Sequence, residues 1–260
     1  MSARMYDDRS RLAGWSAYFA ALSVPVLVIA AVGHRAGLLE ATATYGAIAL
    51  GFTLATLAVV SALASFVAIW REGKRGVGIA TRGCLLGLLI LAMPAFGAWK
   101  VVSDPRLTDI STDLTNPPRF DRAYFDRGPA DATIVEPGPA EAAVQKEAYP
   151  DIVPRHYPVS TARVYVEAKA IVDRVGWQVL AAQEPTEQNP SGSIEAVAQT
   201  LIFAFRQDVV IRIVPDGDGS RVDMRSAARN AAHDLGSDAD RVRSFFSELD
   251  TALEGVTGTS

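Results

Sequence analysis

Several arginine and aspartate side chains cluster in the carboxyl-terminal half of the sequence, where two strands are predicted. Asp223 and Arg225 are two positions apart, so a strand places them on one face. The fork-shaped donors of arginine match carboxylate and phosphate groups. The sequence therefore predicts a ligand site for an anionic group, such as a lipid headgroup: Arg212, Asp223, Arg225, Ser226 and Arg229.

A purely structural role explains the same residues. Arg212 can pair across a hairpin with Asp223, while the other arginines bond loop carbonyls and nearby acids such as Asp208 or Asp234. Charge pairs of this kind are ordinary on a sheet surface, and each contributes little to stability. Both interpretations remain open from the sequence alone.

No spacing in the sequence predicts a metal site or a cofactor. A calcium loop that starts at Asp216 would need a glycine and a glutamate where Arg221 and Ala227 stand. The histidines lack the spacings that put two metal ligands on one face; they are His34, His156 and His233. The last of them, beside Asp234, is interpreted as part of a solvated loop.

Motifs for nucleophilic or phosphate chemistry are also missing from the sequence. It contains no nucleophile elbow, no P-loop and no dinucleotide-binding glycine motif, and the single cysteine, Cys84, lies in an apolar run. No catalytic residue is therefore predicted, and an enzyme is disfavoured. Beyond Trp99 the chain has 17 Lys/Arg against 25 Asp/Glu. This acidity argues against nucleic-acid binding, which needs a basic surplus.

The first hundred residues contain three long apolar stretches. Residues 12–34, 41–70 and 83–99 include no Asp, Glu, Lys or Arg. Because roughly 20 apolar residues cross the hydrocarbon of a bilayer, each stretch is typical of a transmembrane helix. The sequence predicts a transmembrane region at residues 1–100, with helices near 13–32, 45–70 and 77–99. The first is expected to be retained rather than cleaved as a signal peptide.

Aromatic and basic residues indicate the ends and the orientation of these helices. Trp15, Trp70 and Trp99 lie at predicted helix ends, as in an interfacial aromatic belt. Lys and Arg are concentrated in the amino-terminal tail and in the loop between the second and third helices. Because positive residues stay inside, the sequence predicts a multi-pass protein of the bacterial inner membrane. Its amino terminus would be cytoplasmic and its carboxyl-terminal domain periplasmic.

Two glycines in the third predicted helix could form a contact surface. Gly83 and Gly87 make a GxxxG motif, which allows another helix to approach closely. The predicted partners are therefore the lipid bilayer and, through this helix face, another membrane protein. Ordinary membrane-helix glycine is the alternative interpretation.

Prolines mark the chain that follows the membrane helices. Nine of the 14 prolines fall between Lys100 and Pro158, which disfavours long helices there. Apolar residues recur in the same stretch, whereas a disordered spacer would lack them. The sequence predicts an extended segment at residues 101–159 that wraps the domain after it.

The folded core is predicted at residues 160–255, followed by a flexible tail at 256–260. One amphipathic helix follows Ser160 and ends at Gly176, and a second follows Ser237. Between them, strands are predicted at 177–182, 193–201, 209–214 and 221–227. The predicted fold class is α+β: three transmembrane helices, then an antiparallel four-stranded sheet with two helices packed on one face.

Short sequence blocks in this region resemble a known family. The blocks are Asp109-Ile-Ser-Thr-Asp113, Asn116-Pro-Pro-Arg-Phe120, Ser193-Ile-Glu-Ala196, Asp208-Val-Val-Ile-Arg212, Val222-Asp-Met-Arg-Ser226 and Asp234-Leu-Gly236. From Asp104 to Leu253 the chain resembles the bacterial and plastid family catalogued as domain of unknown function 1499. The resemblance implies hydrophobic amino-terminal helices and no established activity. Family members commonly carry a serine where this chain has Ala228.

Together these features predict a membrane-anchored extracytoplasmic binding or assembly module of the cell envelope. One alternative is an accessory subunit whose three helices dock on a larger membrane complex. The other is an envelope enzyme that acts on an anionic substrate through the arginine and carboxylate face.

Overall fold

The computed structural model describes residues 9–129, 131–229 and 234–257 of the chain. His233 and the last three residues of the predicted tail lie outside these ranges. The chain divides into two compact units. The first contains the residues up to Trp99 together with Ile202–Ala204, and the second contains Lys100–Leu201 and the residues from Phe205 onward.

The first unit is helical. Helix α1 covers Arg11–Arg35, α2 covers Ala41–Glu72 and α3 covers Val77–Ser103. All three are long and apolar enough to cross a membrane, which confirms the three predicted candidate spans. The shortest has 25 residues, and at 1.5 Å per residue it extends about 37 Å. The helices extend a few residues beyond the predicted ends. The polar residues that flank each apolar stretch continue its helical backbone hydrogen bonding.

Small side chains lie between the helices of this unit, and large apolar side chains face outward. Every buried residue of α1, α2 and α3 is Gly, Ala, Ser or Thr. Large apolar residues such as Ile29, Leu63 and Leu89 are exposed. In water this distribution would be unfavourable, because the large apolar side chains would stay exposed to solvent. It is typical of helices that pack inside lipid.

The two glycines of the GxxxG motif lie against other helices of the same chain. A Cβ atom on Gly83 would be 2.7 Å from the backbone carbon of Ser16 in α1. A Cβ atom on Gly87 would be 3.0 Å from the carbonyl oxygen of Ala55 in α2. Docking on a partner membrane protein stays a prediction, and the outward-facing apolar side chains are the surface left for it.

Replacing Gly83 with leucine is expected to destabilise the helical unit. The new side chain would collide with the α1 backbone, and overpacking of this kind costs about 1–3 kcal/mol. Thermal melting of the detergent-solubilised protein measures the effect. Gly78→Leu is the matched control, because Gly78 lies in the same helix and a Cβ atom there would have no neighbour within 4 Å. Equal melting temperatures for the two variants would contradict the predicted packing.

The second unit is built on one antiparallel sheet in the strand order β1-β6-β5-β4-β3, with β2 also pairing with β6. The strands are β1 Asp109–Ser111, β2 Arg155–Tyr157, β3 Gln178–Gln183, β4 Gly192–Gln199, β5 Arg206–Asp216 and β6 Gly219–Ala228. The sheet thus has six strands and not the four predicted. Strands β1 and β2 have only three residues each and pair end to end along β6.

The main core lies on one side of the sheet, here called the helix face. Helices α6 (Thr161–Arg174) and α7 (Ser237–Thr257) bury their apolar stripes there against β4, β5 and β6. The side chain of Ser160 accepts a hydrogen bond from the backbone N–H of Arg163 and so caps α6, which confirms the predicted start of this helix. Both predicted amphipathic helices are present. Their apolar residues recur with a 3.6-residue period, which is a strong helical signal.

The opposite side of the sheet, here called the outer face, is covered by the proline-rich segment. Phe120 and Ala123 from this segment form a small second core with Val210 and Ala227 of the sheet. The segment is not extended throughout, because it contains α4 (Ala123–Asp126) and the ten-residue α5 (Pro139–Ala148). Pro139 is tolerated at the start of α5, since the first helical N–H groups have no helical partner.

Candidate functional site

The pleat of β5 and β6 separates the predicted ligand residues between two faces. Arg212 and Asp223 are directly paired across the two strands, and Arg225 lies opposite Val210. These side chains lie on the outer face, under the proline-rich segment. Side chains alternate between the two faces along β6, which runs without a break to Ala228. Ser226 follows Arg225 directly and therefore lies on the helix face. The structure therefore brings the arginines to one face and places Ser226 on the other.

Arg225 is buried under the proline-rich segment and is 1% exposed. Its Nε and Nη2 atoms donate to the carboxylate of Asp109 at 2.9 and 2.6 Å. Nη1 donates to the carbonyl of Pro118 at 3.1 Å, and the guanidinium lies 4.9 Å from the ring centre of Phe120. Burial raises the pKa of Asp109 above its ordinary value, although the charge of Arg225 opposes the rise. Arg225 thus holds β1 and the covering segment onto the sheet.

Arg229 is fully buried at the end of β6. Its Nε and Nη2 atoms donate to Oδ1 of Asp208 at 2.9 and 2.5 Å, and Nη2 also donates to Asp126 at 2.8 Å. The Nε atom of Arg127 donates to the other oxygen of Asp208 at 2.7 Å. Burial lowers the pKa of Arg229, but the hydrogen bonds and charges of its two acids raise it above the ordinary value.

Arg212 is the one predicted arginine that keeps partial access to solvent, since its side chain is 21% exposed. Its Nη2 atom donates to Asp223 at 2.8 Å and to Asp113 at 2.9 Å. Burial raises the pKa of Asp113, but backbone hydrogen bonds and Arg212 together lower it below the ordinary value. The predicted pairing of Arg212 with Asp223 is confirmed, as is the pairing of an arginine with Asp208.

A second polar cluster lies on the helix face and was missed from the sequence. The Oγ atom of Ser226 donates to Asp238 of α7 at 2.6 Å. Arg241 donates to both residues and to Gln207 of β5. Burial raises the pKa of Asp238 to about 7, against the attraction of Arg241. The only sequence signal was the Asp-x-x-Arg spacing within α7, which surface helices share.

A cavity of about 460 Å³ opens on the outer face beside Arg212. The proline-rich segment contributes the exposed residues Arg119 and Arg122 to its lining, and the sheet contributes Ser193, Glu195 and Arg212. The ion pair of Arg119 with Glu136 is long, at 3.6 Å, and both side chains are exposed. Three arginine residues therefore line a space that is open to solvent, and one of them, Arg212, is already paired with Asp113 and Asp223.

Two acids, Asp121 and Glu195, also line this cavity. The carboxylate of Glu195 accepts the N–H groups of Asp121, Arg122 and Ala123 at 3.2, 2.8 and 2.5 Å. These donors are consecutive at the start of α4, where an anion is favoured. Glu195 therefore positions the backbone at Arg122, and Asp121 is the exposed acid of the lining.

Metal-ligating side chains do not converge in the described ranges. Within residues 9–129, 131–229 and 234–257, no three His, Cys, Asp or Glu residues lie in positions that could hold a metal ion. His156 contacts Asp216 at 2.6 Å at an exposed position. The residues that line the cavity are better suited to hydrogen bonding an anion than to binding a metal cation.

Comparison with known proteins gives one finding. A family model described as "Protein of unknown function (DUF1499)" matches residues 109–249. The matched region begins at β1 and ends inside α7, so it contains the whole sheet, the proline-rich cover and the arginine pairs. No curated protein matches the chain.

Proposed function

This chain belongs to the DUF1499 family, and from that premise we propose that it is a membrane-anchored binding module of the cell envelope, whose domain holds an anionic group on its outer face. The observation that carries the proposal is the cavity beside Arg212. Arg119, Arg122 and Arg212 line it, and arginine is the side chain best suited to bidentate contacts with phosphate or carboxylate.

The buried arginines have a supporting role in this proposal. The donors of Arg225 and Arg229 are occupied by Asp109, Asp208 and Asp126, so an incoming anion would have to displace a buried carboxylate. Arg225 instead bonds the carbonyl of Pro118. It thereby positions the part of the covering segment that carries the cavity arginines.

The proposal also places the domain outside the cytoplasm. The connection between α2 and α3 carries Lys74 and Arg75, and it is flanked by Arg71 at the end of α2 and Arg82 near the start of α3. The connection between α1 and α2 is flanked only by Arg35, the last residue of α1. Basic residues near the ends of spans favour the cytoplasmic side. An odd number of spans then puts the amino terminus and the domain on opposite sides, which corresponds to the periplasm in a bacterium with two membranes.

Phosphate binding by the full-length protein tests the anion site. We expect inorganic phosphate to raise the melting temperature of the detergent-solubilised protein. The double variant Arg119→Ala/Arg122→Ala should bind phosphate at least tenfold more weakly, because hydrogen bonds to charged groups contribute about 1.5–3 kcal/mol each. The matched control is Arg174→Ala, which removes an exposed arginine of α6 that is paired with Glu248.

The outcomes separate the sources of the anion. A short-chain anionic phospholipid that stabilises the protein, when its zwitterionic counterpart does not, assigns the site to a lipid headgroup. Stabilisation by phosphate alone assigns it to a free anion. If phosphate and the anionic lipid both leave the melting temperature unchanged, or if the double variant binds like the control, the anion site is refuted.

A further inference from the structure

The loop between β4 and β5 has an unusual composition. Residues 201–205 are Leu, Ile, Phe, Ala and Phe, whereas loops of this kind are usually built from Gly, Pro, Asn, Asp and Ser. The side chain of Leu201 is 89% exposed and that of Ile202 is 53% exposed. Phe203 and Ala204 are buried, so the exposed apolar side chains lie at the start of the loop. Exposed apolar surface of this kind marks a contact with another apolar phase.

The loop has a defined backbone conformation. The N–H of Thr200 donates to the carbonyl of Phe205 at 3.0 Å, and the N–H of Phe205 donates to the side chain of Thr200 at 2.9 Å. Ala204 has a φ of 56°, which residues with a side chain rarely adopt. The hydrogen bonds close the two ends of the loop, and Leu201 directly follows the closing residue Thr200.

An exposed aromatic pair lies at the same end of the sheet. Tyr124 and Phe125 of α4 form an edge-to-face pair with ring centres 5.6 Å apart, and Phe125 is 81% exposed. The next residue, Asp126, forms an ion pair at 2.8 Å with Arg206, the first residue of β5 after the loop. Aromatic rings of this kind are enriched where protein meets the membrane surface.

The chain also enters the domain at this end of the sheet. The carbonyl of Thr108 accepts the N–H of Ala228, which pairs with Gln207 at the start of β5. Only five residues, 104–108, separate the end of α3 from β1. A connection of that length gives this end of the domain a high effective concentration at a membrane surface.

We propose that Tyr124, Phe125 and Leu201, here called the apolar end, insert into the interfacial region of the lipid bilayer. The proposal requires a membrane tether but not the anion site, so either proposal can fail alone. The exposed Leu201, the aromatic pair and the short connection to a candidate span all favour lipid as the occupant. A second copy of the chain and a partner protein are the competing occupants.

An environment-sensitive fluorophore attached at the apolar end tests this inference. Cys84 is the only native cysteine, so a Cys84→Ser background allows single labelling at Leu201→Cys with the dye NBD. The purified full-length protein is reconstituted into vesicles of mixed anionic and zwitterionic phospholipid. Asp218→Cys is the control, because Asp218 is exposed in the β5–β6 turn at the other end of the sheet.

We expect the dye at position 201 to emit at shorter wavelength than the dye at 218, and to be quenched at least twofold more by spin-labelled lipid. Water-like emission at both positions would overturn the inference. A blue shift at 201 that spin-labelled lipid does not quench would overturn it as well, because it would indicate burial against another protein molecule.

Discussion

Replacing Asp208 with alanine is expected to lower the free energy of unfolding of the sheet domain by about 3–5 kcal/mol, because removal of one partner leaves buried charges unpaired. Asp208 is fully buried and serves two cations at once. Its Oδ1 accepts two hydrogen bonds from Arg229, and its Oδ2 accepts one from Arg127. Arg229 is also fully buried, so water is a poor substitute for the lost carboxylate.

Thermal melting of the full-length protein measures this loss, which corresponds to a decrease of about 10 °C for a domain of this size. Asp218→Ala is the matched control, since it makes the same substitution in an exposed turn. Substitutions at such positions usually change stability by less than about 0.5 kcal/mol. The double variant Asp208→Leu/Arg229→Met should recover part of the loss by removing a charge of each sign. An Asp208→Ala protein as stable as the control would contradict the role assigned to this pair.

Replacing Arg225 with methionine is the change with the second largest expected effect, again about 3–5 kcal/mol at neutral or higher pH. Methionine keeps most of the apolar contact but removes the charge that faces Asp109 and the donors to Pro118 and Val135. Burial already raises the pKa of Asp109, and without Arg225 that pKa should rise further. The stability of the variant should therefore fall as pH rises through the folded-state pKa of Asp109 and should partly recover in acid.

Two measurements check the prediction for Arg225. Melting temperature as a function of pH should show a wider gap from the native protein at pH 8 than at pH 5. Hydrogen exchange should speed up selectively in residues 112–137, because the covering segment loses its bonds to the sheet. Arg163→Ala is the control, since its ion pair with Glu167 lies on the exposed side of α6. A pH-independent gap together with native exchange in this segment would refute the assigned role.

The parts of the fold with strong periodicity could be predicted from the sequence. The three candidate spans follow from stretches without charge, and α6 and α7 follow from apolar stripes with a 3.6-residue period. Strands β3 to β6 follow from β-branched and alternating residues between turn signals. Their predicted ends differ from the observed ends by a few residues, because hydrogen bonds to neighbouring strands set where pairing stops.

Strands β1 and β2 could not be predicted, because three residues are too few to show a periodic pattern of apolar side chains. Strand β1 exists through its pairing with Ala227, Ser226 and Arg225 of β6, which are more than 100 residues away in the chain. Strand β2 likewise depends on Val222 and its neighbours. The missing information is tertiary, since the edge of β6 provides the donors and acceptors that these short segments need.

The candidate site was predictable as a set of residue types and not as a set of contacts. The pairing of Arg212 with Asp223 follows from hairpin register, so it could be anticipated. The acid that faces Arg225 is Asp109 of β1. The partners Asp126 and Arg127 are the last residue of the short helix α4 and the residue after it. No local pattern specifies these partners. The exposed arginines of the cavity, Arg119 and Arg122, were missed for the same reason.

Labelling of single cysteines in intact cells tests the central claim, that three membrane spans hold an extracytoplasmic domain. In the Cys84→Ser background, a membrane-impermeant maleimide is applied to spheroplasts that carry Asp218→Cys in the domain or Glu72→Cys at the end of α2. The account predicts that position 218 is labelled in intact spheroplasts and that position 72 is labelled only after permeabilisation. Labelling of position 72 from outside, with position 218 protected until lysis, would contradict it.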